Sequence, residues 1–167
     1  MIVGEIKSIE QHPTHEKYKI FTVNIALNEP IIVCDCSDPS FSPDLMLKKI
    51  IVVTNTSPKI VGSIVSKALI IFIKNELNSK ICDVEYLSPP DDCIPGDQIY
   101  FSTYPPKKNF TQIKIDDNIL GMITNNTVVT ENCSVEYLNG HLTSYKGLVK
   151  SNLKNGTLDF CPLSNIE

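Results

Sequence analysis

The most apolar part of the chain lies between residues 48 and 75. Two runs rich in β-branched residues, Ile50–Val53 and Leu69–Ile73, flank a connector of Thr, Asn, Ser and Pro residues, and a shorter apolar pair, Ile64-Val65, lies between them. Continuous apolar runs of this length, bounded by turn-forming residues, are typical of buried strands. The pattern therefore predicts two central strands joined by a polar loop.

Shorter apolar or alternating stretches predict further strands along the rest of the chain. Before the two central strands, Ser42-Pro43-Asp44 is typical of a helix start, with Ser as the cap and Pro at the first helical position. Strands spaced in this way around one short helix favour a mainly β protein with a small, partly open barrel of the oligonucleotide/oligosaccharide-binding (OB) kind. The additional predicted strands are Val3–Ile9, Tyr18–Ala26, Ile31–Cys34, Val84–Leu87, Ile113–Ile115, Thr127–Thr130 and Val135–Leu138.

A change of composition after residue 87 predicts a domain boundary. Prolines crowd between residues 89 and 106, and we place the boundary near Pro105, between a first domain of residues 1–104 and a second of residues 105–167. The second domain is expected to be β-rich or irregular. Its apolar residues are too few to form a core alone, so we expect them to be buried against the barrel. They include Phe110, Ile113, Ile115, Leu120, Val128, Val129 and Val135.

Charge is distributed unevenly along a chain that is acidic overall, with a formal net charge of −4 and a pI of about 5.4. Residues 45–75 contain five lysines and no acid, so the other ten lysines and all nineteen acids bring the rest of the chain to −9. A positive stretch in an acidic protein favours contact with an anionic partner, although lysines that only confer solubility would give the same pattern. All fifteen basic residues are Lys, so no guanidinium group is available for bidentate recognition of phosphate or guanine.

The cysteines and histidines do not form a pattern that predicts catalysis or metal binding. Cys34-Asp35-Cys36 places two thiols on one face of a strand end, but a metal site needs two further ligands at a suitable spacing. Structural thiols are therefore favoured over a metal centre or a Cys–His catalytic pair. His12-Pro13 predicts a turn whose imidazole packs or hydrogen-bonds locally. The remaining candidate ligands, none with zinc-type spacing, are His15, Cys82 and Cys93.

The acidic pairs and the glycines also lack a catalytic arrangement. Asp91-Asp92 and Asp116-Asp117 lie in turn-like surroundings and are expected to be solvated, and the seven glycines form no phosphate-binding loop. No apolar run reaches membrane length, and the N-terminus lacks a secretion signal, so we expect a soluble, cytoplasmic protein with reduced cysteines. We therefore predict a chain that is not an enzyme and that uses no cofactor or metal.

Several segments, taken in order, resemble one family over nearly the whole chain. The Pro95-Gly96-Asp97-Gln98 segment, within Leu87–Ile99, carries the closest match. The others are Val3–Ile6, the turn His12–Tyr18, Ile31–Cys34, the set Asn55, Pro58, Ser66 and Ala68, then Pro106-Lys107-Lys108 with Phe110 and Gln112, and Tyr145-Lys146-Gly147. By these residues the chain resembles the tRNA-binding domains that accompany aminoacyl-tRNA synthetases, in the longer form seen in endothelial monocyte-activating polypeptide II.

The resemblance implies a five-stranded OB barrel with a C-terminal extension packed on it. It also implies non-catalytic binding of tRNA, as an accessory or appended domain of an aminoacyl-tRNA synthetase of the methionyl or tyrosyl type. A monomer is expected, because the extension takes the place of the second subunit with which shorter members of the family dimerise. The residues expected to contact RNA are Lys48, Lys49, Asn55, Lys59, Ser66, Lys67, Lys107 and Lys108.

Two departures from the family pattern support a second interpretation. Ile60-Val61-Gly62-Ser63 replaces a Lys-Met-Arg-Gly motif that belongs to the family's RNA-contacting face, and Thr14-His15-Glu16 replaces Asp-Ala-Asp after the His-Pro turn. Together with the lack of Arg and the acidic net charge, these changes are compatible with a protein-interaction module of a synthetase complex that has lost most of its RNA affinity.

Overall fold

The computed structural model describes residues 1–35, 46–77, 80–107 and 113–161, and these ranges consist mainly of antiparallel strands with one short helix. No helix within them is long and apolar enough to cross a membrane. The first strands are β1 (Ile2–Gln11), β2 (Lys19–Asn24), β3 (Ile31–Asp35), β4 (Lys49–Val53), β5 (Lys59–Val61), β6 (Ile64–Ser66), β7 (Leu69–Leu77), β8 (Lys80–Tyr86) and β9 (Tyr100–Phe101). They are followed by α1 (Asp117–Asn126), β10 (Thr127–Val129), β11 (Val135–Tyr137), β12 (Gly140–Ser144), β13 (Gly147–Leu148) and β14 (Thr157–Cys161).

The N-terminal strands form the barrel. β1 lies at its centre, pairing with β2 along one edge and with β4 along the other. On the far side of these partners, β2 also pairs with β3, and β4 also pairs with β7. Because β3 in turn lies against β6 and β7, the sheet curls back on itself. The prediction of a mainly β chain built on a five-stranded OB-like barrel is confirmed.

Both faces of β4 and β7 are buried, which explains their continuous apolar sequences. Successive side chains of a strand point to opposite faces. Ile50 and Ile70 accordingly belong to the cluster that fills the barrel, whereas Ile51 and Ile71 belong to a second cluster on the outer side of the same strands. Each of these strands therefore separates two hydrophobic cores.

The C-terminal part of the chain covers the outer face of β4 and β7. β14 pairs with β7, and β10 to β13 form a meander whose strand β12 also pairs with β9. The buried Val135, Leu142 and Phe160 share the second cluster with Ile51 and Ile71 of the barrel strands. The prediction that the extension packs on the barrel is thus confirmed, whereas the boundary near Pro105 stays a prediction.

Not every apolar residue of the extension is buried as expected. Val129 and Val135 are in the second core, and Ile115 and Leu120 are partly buried against it. The expectation is wrong for Ile113 and Val128, which are exposed. Val128 points outward because its neighbours in β10 point inward. Phe110 lies outside the described residues.

The connector between the central strands contains a hairpin, β5–β6, where the sequence predicted only a loop. Each of its strands has three residues, too few for an alternation of apolar and polar positions to be recognisable.

A helix replaces the turn predicted at Asp116-Asp117. The carboxylate of Asp116 caps α1 by accepting a hydrogen bond from the Ile119 N–H at 2.9 Å. Both acids are exposed, as expected, but they start a helix instead of lying in a turn. The strand predicted at Ile113–Ile115 is also wrong: only a single bridge forms there, from Ile115 to Thr56. The helix start predicted at residues 42–44 lies outside the described residues.

Candidate nucleic-acid interface

The β5–β6 hairpin carries two of the lysines that are expected to contact RNA, both at its open end. Lys59 lies opposite Ser66 in the strand register, and Lys67 follows Ser66 directly. Lys67 is exposed, and its backbone N–H donates to the Ile32 carbonyl oxygen at 2.9 Å, which ties the end of the hairpin to β3. The hairpin therefore carries both lysines at a base that is fixed to the barrel, with Lys67 exposed and Lys59 partly buried.

Ser66 acts inside the protein. Its hydroxyl is buried, accepts a hydrogen bond from the Cys34 N–H at 3.0 Å and donates one to the Ala68 carbonyl oxygen at 3.1 Å. Next to it, Val61 packs against Tyr18 and Cys34. Ser66 was expected to be a hydrogen-bonding neighbour of RNA; in the structure, its bond from Cys34 ties the hairpin to β3, and its bond to Ala68 fixes the chain that follows β6.

The His-Pro turn supports the hairpin from the side. The Nδ1 atom of His12 lies 3.2 Å from the backbone N–H groups of Thr14 and His15 and accepts from them, so the ring proton lies on Nε2 and is donated to the Val61 carbonyl oxygen at 2.9 Å. Gly62 has a φ of +57°, and a Cβ atom there would lie 2.9 Å from both the His12 and His15 rings. Only glycine lets the hairpin turn approach the two imidazoles this closely.

The opposite face of the hairpin is open to solvent. Ile60 and Val65 face each other across its two strands and are 71% and 45% exposed. Directly opposed β-branched residues stabilise a strand pair, but their outer surface is left uncovered here. The hairpin thus combines an apolar outer face with two lysines at its base.

Three of the five lysines in residues 45–75 are paired with groups from outside that stretch. A segment that is free of acid in the sequence is therefore partly neutralised in space. The contacts join Lys49 Nζ to the Asp91 carbonyl oxygen at 2.6 Å, Lys59 Nζ to Asp117 Oδ1 at 2.8 Å, and Lys74 Nζ to Asp159 Oδ2 at 2.9 Å.

The other two lysines, Lys48 and Lys67, are exposed, and neither has an acidic partner within ion-pair distance among the described residues. Lys67 lines a shallow pocket of about 640 Å³ together with the β2–β3 loop, residues 26–31. Apolar Leu27 and Pro30 and polar Asn28 contribute to the lining of this pocket. Lys67 therefore has both an accessible ammonium group and room beside it for part of a ligand.

Asn55 also makes its contacts within the protein. The Nδ2 of its side chain donates to the Ile113 carbonyl oxygen at 2.8 Å, and its backbone carbonyl oxygen accepts from the Ile115 N–H at 2.8 Å. These two bonds fasten the start of the extension to the loop after β4, close in sequence to the hairpin. Lys107 is exposed, and Lys108 lies outside the described residues.

Two of the segments noted in the sequence, around Asp97 and around Tyr145-Lys146, contact each other. Asp97 accepts hydrogen bonds from the Tyr145 hydroxyl at 3.0 Å, from Lys146 Nζ at 2.8 Å and from the Ile94 N–H at 2.9 Å. The bond from Lys146, then that from Ile94, holds the pKa of Asp97 below its ordinary value, and Asp97 in turn raises the pKa of Lys146. The Asp97 carbonyl oxygen accepts from the Val3 N–H at 2.9 Å, so the contact locks the extension to β1.

The contacts of Asp97 make a pH-dependent contribution to the stability of the fold. Because the pKa of Asp97 is lowered on folding, the folded state binds the proton less readily than the unfolded state. The stabilisation is complete above the ordinary pKa of 3.8 and is lost as the pH falls below it. We expect Asp97→Asn to lower the thermal transition midpoint at pH 6 and to have a smaller effect at pH 2.5, measured by circular dichroism. The exposed Asp91 gives a matched control: a midpoint difference of the same size and pH dependence in Asp91→Asn would contradict the assignment.

The described cysteines do not supply a reactive thiol at the hairpin. Burial, with a smaller contribution from Asp35, raises the pKa of Cys34 to about 11. Its thiol is protonated at neutral pH, and the protonated form is neither a good nucleophile nor a metal ligand. No group of three or more His, Cys, Asp or Glu residues that could hold a metal ion occurs in the described ranges, and Cys36 lies outside them.

A Ser–His–Glu cluster on the extension has the wrong geometry for a catalytic triad. Ser134 Oγ and Glu136 Oε1 lie 2.9 Å and 3.3 Å from the same ring nitrogen of His141, Nδ1. In a triad the nucleophile and the acid contact opposite nitrogens, so that the imidazole can accept a proton from one while the other orients it. The cluster instead joins the β10–β11 turn and β11 to β12.

Comparisons with known proteins agree with this architecture. The profile of a family described as a putative tRNA binding domain matches residues 1–98. Cytoplasmic tyrosine–tRNA ligases of Xenopus tropicalis and Xenopus laevis are each 27% identical over 128 residues, covering 70% of this chain but only 24% of the ligase. The solved C-terminal domain of Plasmodium vivax p43 matches with a TM-score of 0.80 and 21% identity, over 95% of this chain and 94% of that domain. The extension is therefore part of the shared fold.

Proposed function

Because the chain belongs to the family of putative tRNA-binding domains, we propose that it binds tRNA without catalysing a reaction on it, as an accessory or appended domain of an aminoacyl-tRNA synthetase. The observation that carries the proposal is the family match over residues 1–98, which contain the barrel and the lysine-bearing hairpin. The geometry of the Ser134–His141–Glu136 cluster and the protonated thiol of Cys34 are compatible with a binding role. The related ligases are enzymes, but the chain spans about a quarter of their length, so their activity is not transferred to it.

The proposed contacts centre on Lys59 and Lys67, with Lys48, Lys49, Lys107 and Lys108 as further phosphate contacts. Structured RNA is recognised largely through shape, phosphates and 2′-hydroxyls, which lysines and backbone groups can bind without Arg. Ser66 and Asn55 act in this proposal by fixing the hairpin and the adjoining loop, since their side chains bond to the protein backbone.

A tRNA-binding titration at several salt concentrations tests this function. With at most six lysine–phosphate contacts, we expect micromolar affinity at low salt and a log–log salt slope of no more than about five units. Fluorescence anisotropy of a labelled tRNA, with single-stranded RNA of the same length as the control, gives both quantities. Absence of tRNA binding at the lowest salt concentration would overturn the proposal.

The proposed protein partner is an aminoacyl-tRNA synthetase in the cytoplasm, with the tyrosyl type favoured over the methionyl type by the related ligases. A monomer is proposed because the extension already covers the outer face of β4 and β7, which would otherwise be available to a second subunit. Light scattering at micromolar concentration is expected to give the mass of one chain, and a stable dimer would contradict this part of the proposal.

The second candidate is a protein-interaction module with little RNA affinity. It is favoured by the exposed Ile60 and Val65 on the hairpin, in a chain with no Arg and a net charge of −4. Capture of a purified synthetase, lost in Ile60→Ser/Val65→Ser, together with no tRNA retardation at low salt, would establish this alternative in place of the first.

A further inference from the structure

The Lys59–Asp117 ion pair joins the proposed RNA surface to the first turn of α1. Lys59 Nζ lies 2.8 Å from Asp117 Oδ1, and the Asp117 side chain is 57% exposed. The carboxylate that pairs with Lys74, that of Asp159, is by contrast only 12% exposed. Of these two acids that pair with lysines of residues 45–75, Asp117 is therefore the one that solvent or a ligand can reach more easily.

A carboxylate and a phosphate offer the same kind of anionic oxygen to a lysine ammonium group. An RNA phosphate that binds Lys59 must therefore take the place of the Asp117 carboxylate or share the ammonium with it. We propose that Asp117 is an affinity-setting residue, an internal competitor that occupies Lys59 until RNA displaces it. This inference rests on the proposed function and adds a regulatory element to the same site.

The attachment of α1 allows such displacement. No residue of α1 is fully buried, and Leu120 and Ile123 are only partly buried against the second core. Asp116, not Asp117, caps the helix, so the helix start does not depend on the contact with Lys59. The Asp117 carboxylate can consequently leave Lys59 by a side-chain rotation or a small shift of the first turn.

The competition is expected to tune the affinity rather than to block binding. Exposed ion pairs are weak, so phosphate displaces the carboxylate readily, at a cost of a few-fold in apparent affinity. The coupling is reciprocal: if Asp117 weakens RNA binding, RNA binding must weaken the hold of Lys59 on α1.

The test compares Asp117→Asn with Glu131→Gln, which removes the same charge from an exposed acid on the β10–β11 turn. We expect Asp117→Asn to bind tRNA about three- to tenfold more tightly at low salt and to steepen the salt slope by about one unit, with less than a twofold change in the control. In a Lys59→Ala background, Asp117→Asn should have no larger effect than Glu131→Gln.

Each outcome separates this inference from the proposed function. If the natural chain binds tRNA but Asp117→Asn binds no more tightly than Glu131→Gln, the competitor role is overturned and the function stands. If the natural chain shows no retardation and Asp117→Asn does, the competitor role is supported in a stronger form. If neither binds at the lowest salt concentration, both are overturned. An advantage that persists in the Lys59→Ala background would show a general charge effect and would also overturn the competitor role.

Discussion

Replacing Leu142 by alanine is expected to lower the free energy of unfolding by about 2–5 kcal/mol, a large part of the stability of a typical domain. Leu142 belongs to the extension, but its fully buried side chain lies in the cluster that also contains Ile51 and Ile71 of the barrel strands. The loss should therefore appear as a shift of one cooperative transition for the whole chain in urea unfolding. Circular dichroism and amide NMR signals of the barrel should report the same midpoint.

Leu148 provides a matched control on the neighbouring strand. It lies opposite Thr143 of β12 in the register and is 47% exposed, so Leu148→Ala should change the stability by no more than about 0.5 kcal/mol. Two separate transitions, with the barrel unaffected by Leu142→Ala, would show that the extension and the barrel do not share a core in solution.

The second large effect is expected on RNA binding. Lys59→Glu combined with Lys67→Glu should reduce tRNA affinity at low salt by at least about tenfold and lower the salt slope by about two units, because two phosphate contacts become repulsive. Neither lysine is in a hydrophobic core, and the exposed ion pair that Lys59 loses is worth at most about 1 kcal/mol, so the thermal transition should fall only slightly. Anisotropy titrations at matched salt concentrations measure the affinity and the slope together.

Lys150→Glu combined with Lys154→Glu is the charge-matched control for that variant. Both lysines are exposed on the extension and lie outside the proposed contact set. If the two double variants lose the same affinity, net charge rather than the hairpin determines binding. If the hairpin variant binds tRNA with an unchanged slope, the contacts have been placed on the wrong surface.

The barrel could be predicted from the sequence because its strands carry the signal in consecutive residues. Ile50–Val53 and Leu69–Ile73 are apolar at every position since each strand borders a core on both sides. For the extension, the sequence predicted only that its apolar residues, taken together, are buried against the barrel. The exposure of its individual residues was not predictable, because no local pattern shows that Val128 lies on the outward face of β10, or that Ile113 lies outside any strand.

The candidate site was less predictable, because charge neutralisation is a long-range property. Asp117 lies 58 residues beyond Lys59, and no local pattern in the sequence links them. Similarly, Ser66 is a polar residue next to an exposed lysine, and only the closeness of β3 shows that its hydroxyl points inward. One local signal was available: Ser or Asp before a helical run is a capping pattern, and Asp116-Asp117 precedes Ile119-Leu120.

The pairing of β14 with β7 also sets the order in which the protein can be assembled during translation. Thr157 follows Lys74 by 83 residues, so at about 5–20 residues per second the ribosome needs roughly 4–17 s to deliver the strand that covers β7. Throughout that interval the edge of β7 that pairs with β14 is open, and the outer faces of β4 and β7 are covered only as far as the residues made before β14 can cover them. A newly made chain is therefore most prone to aggregate, or to be recognised by a chaperone, after its barrel has emerged and before its last described strand has.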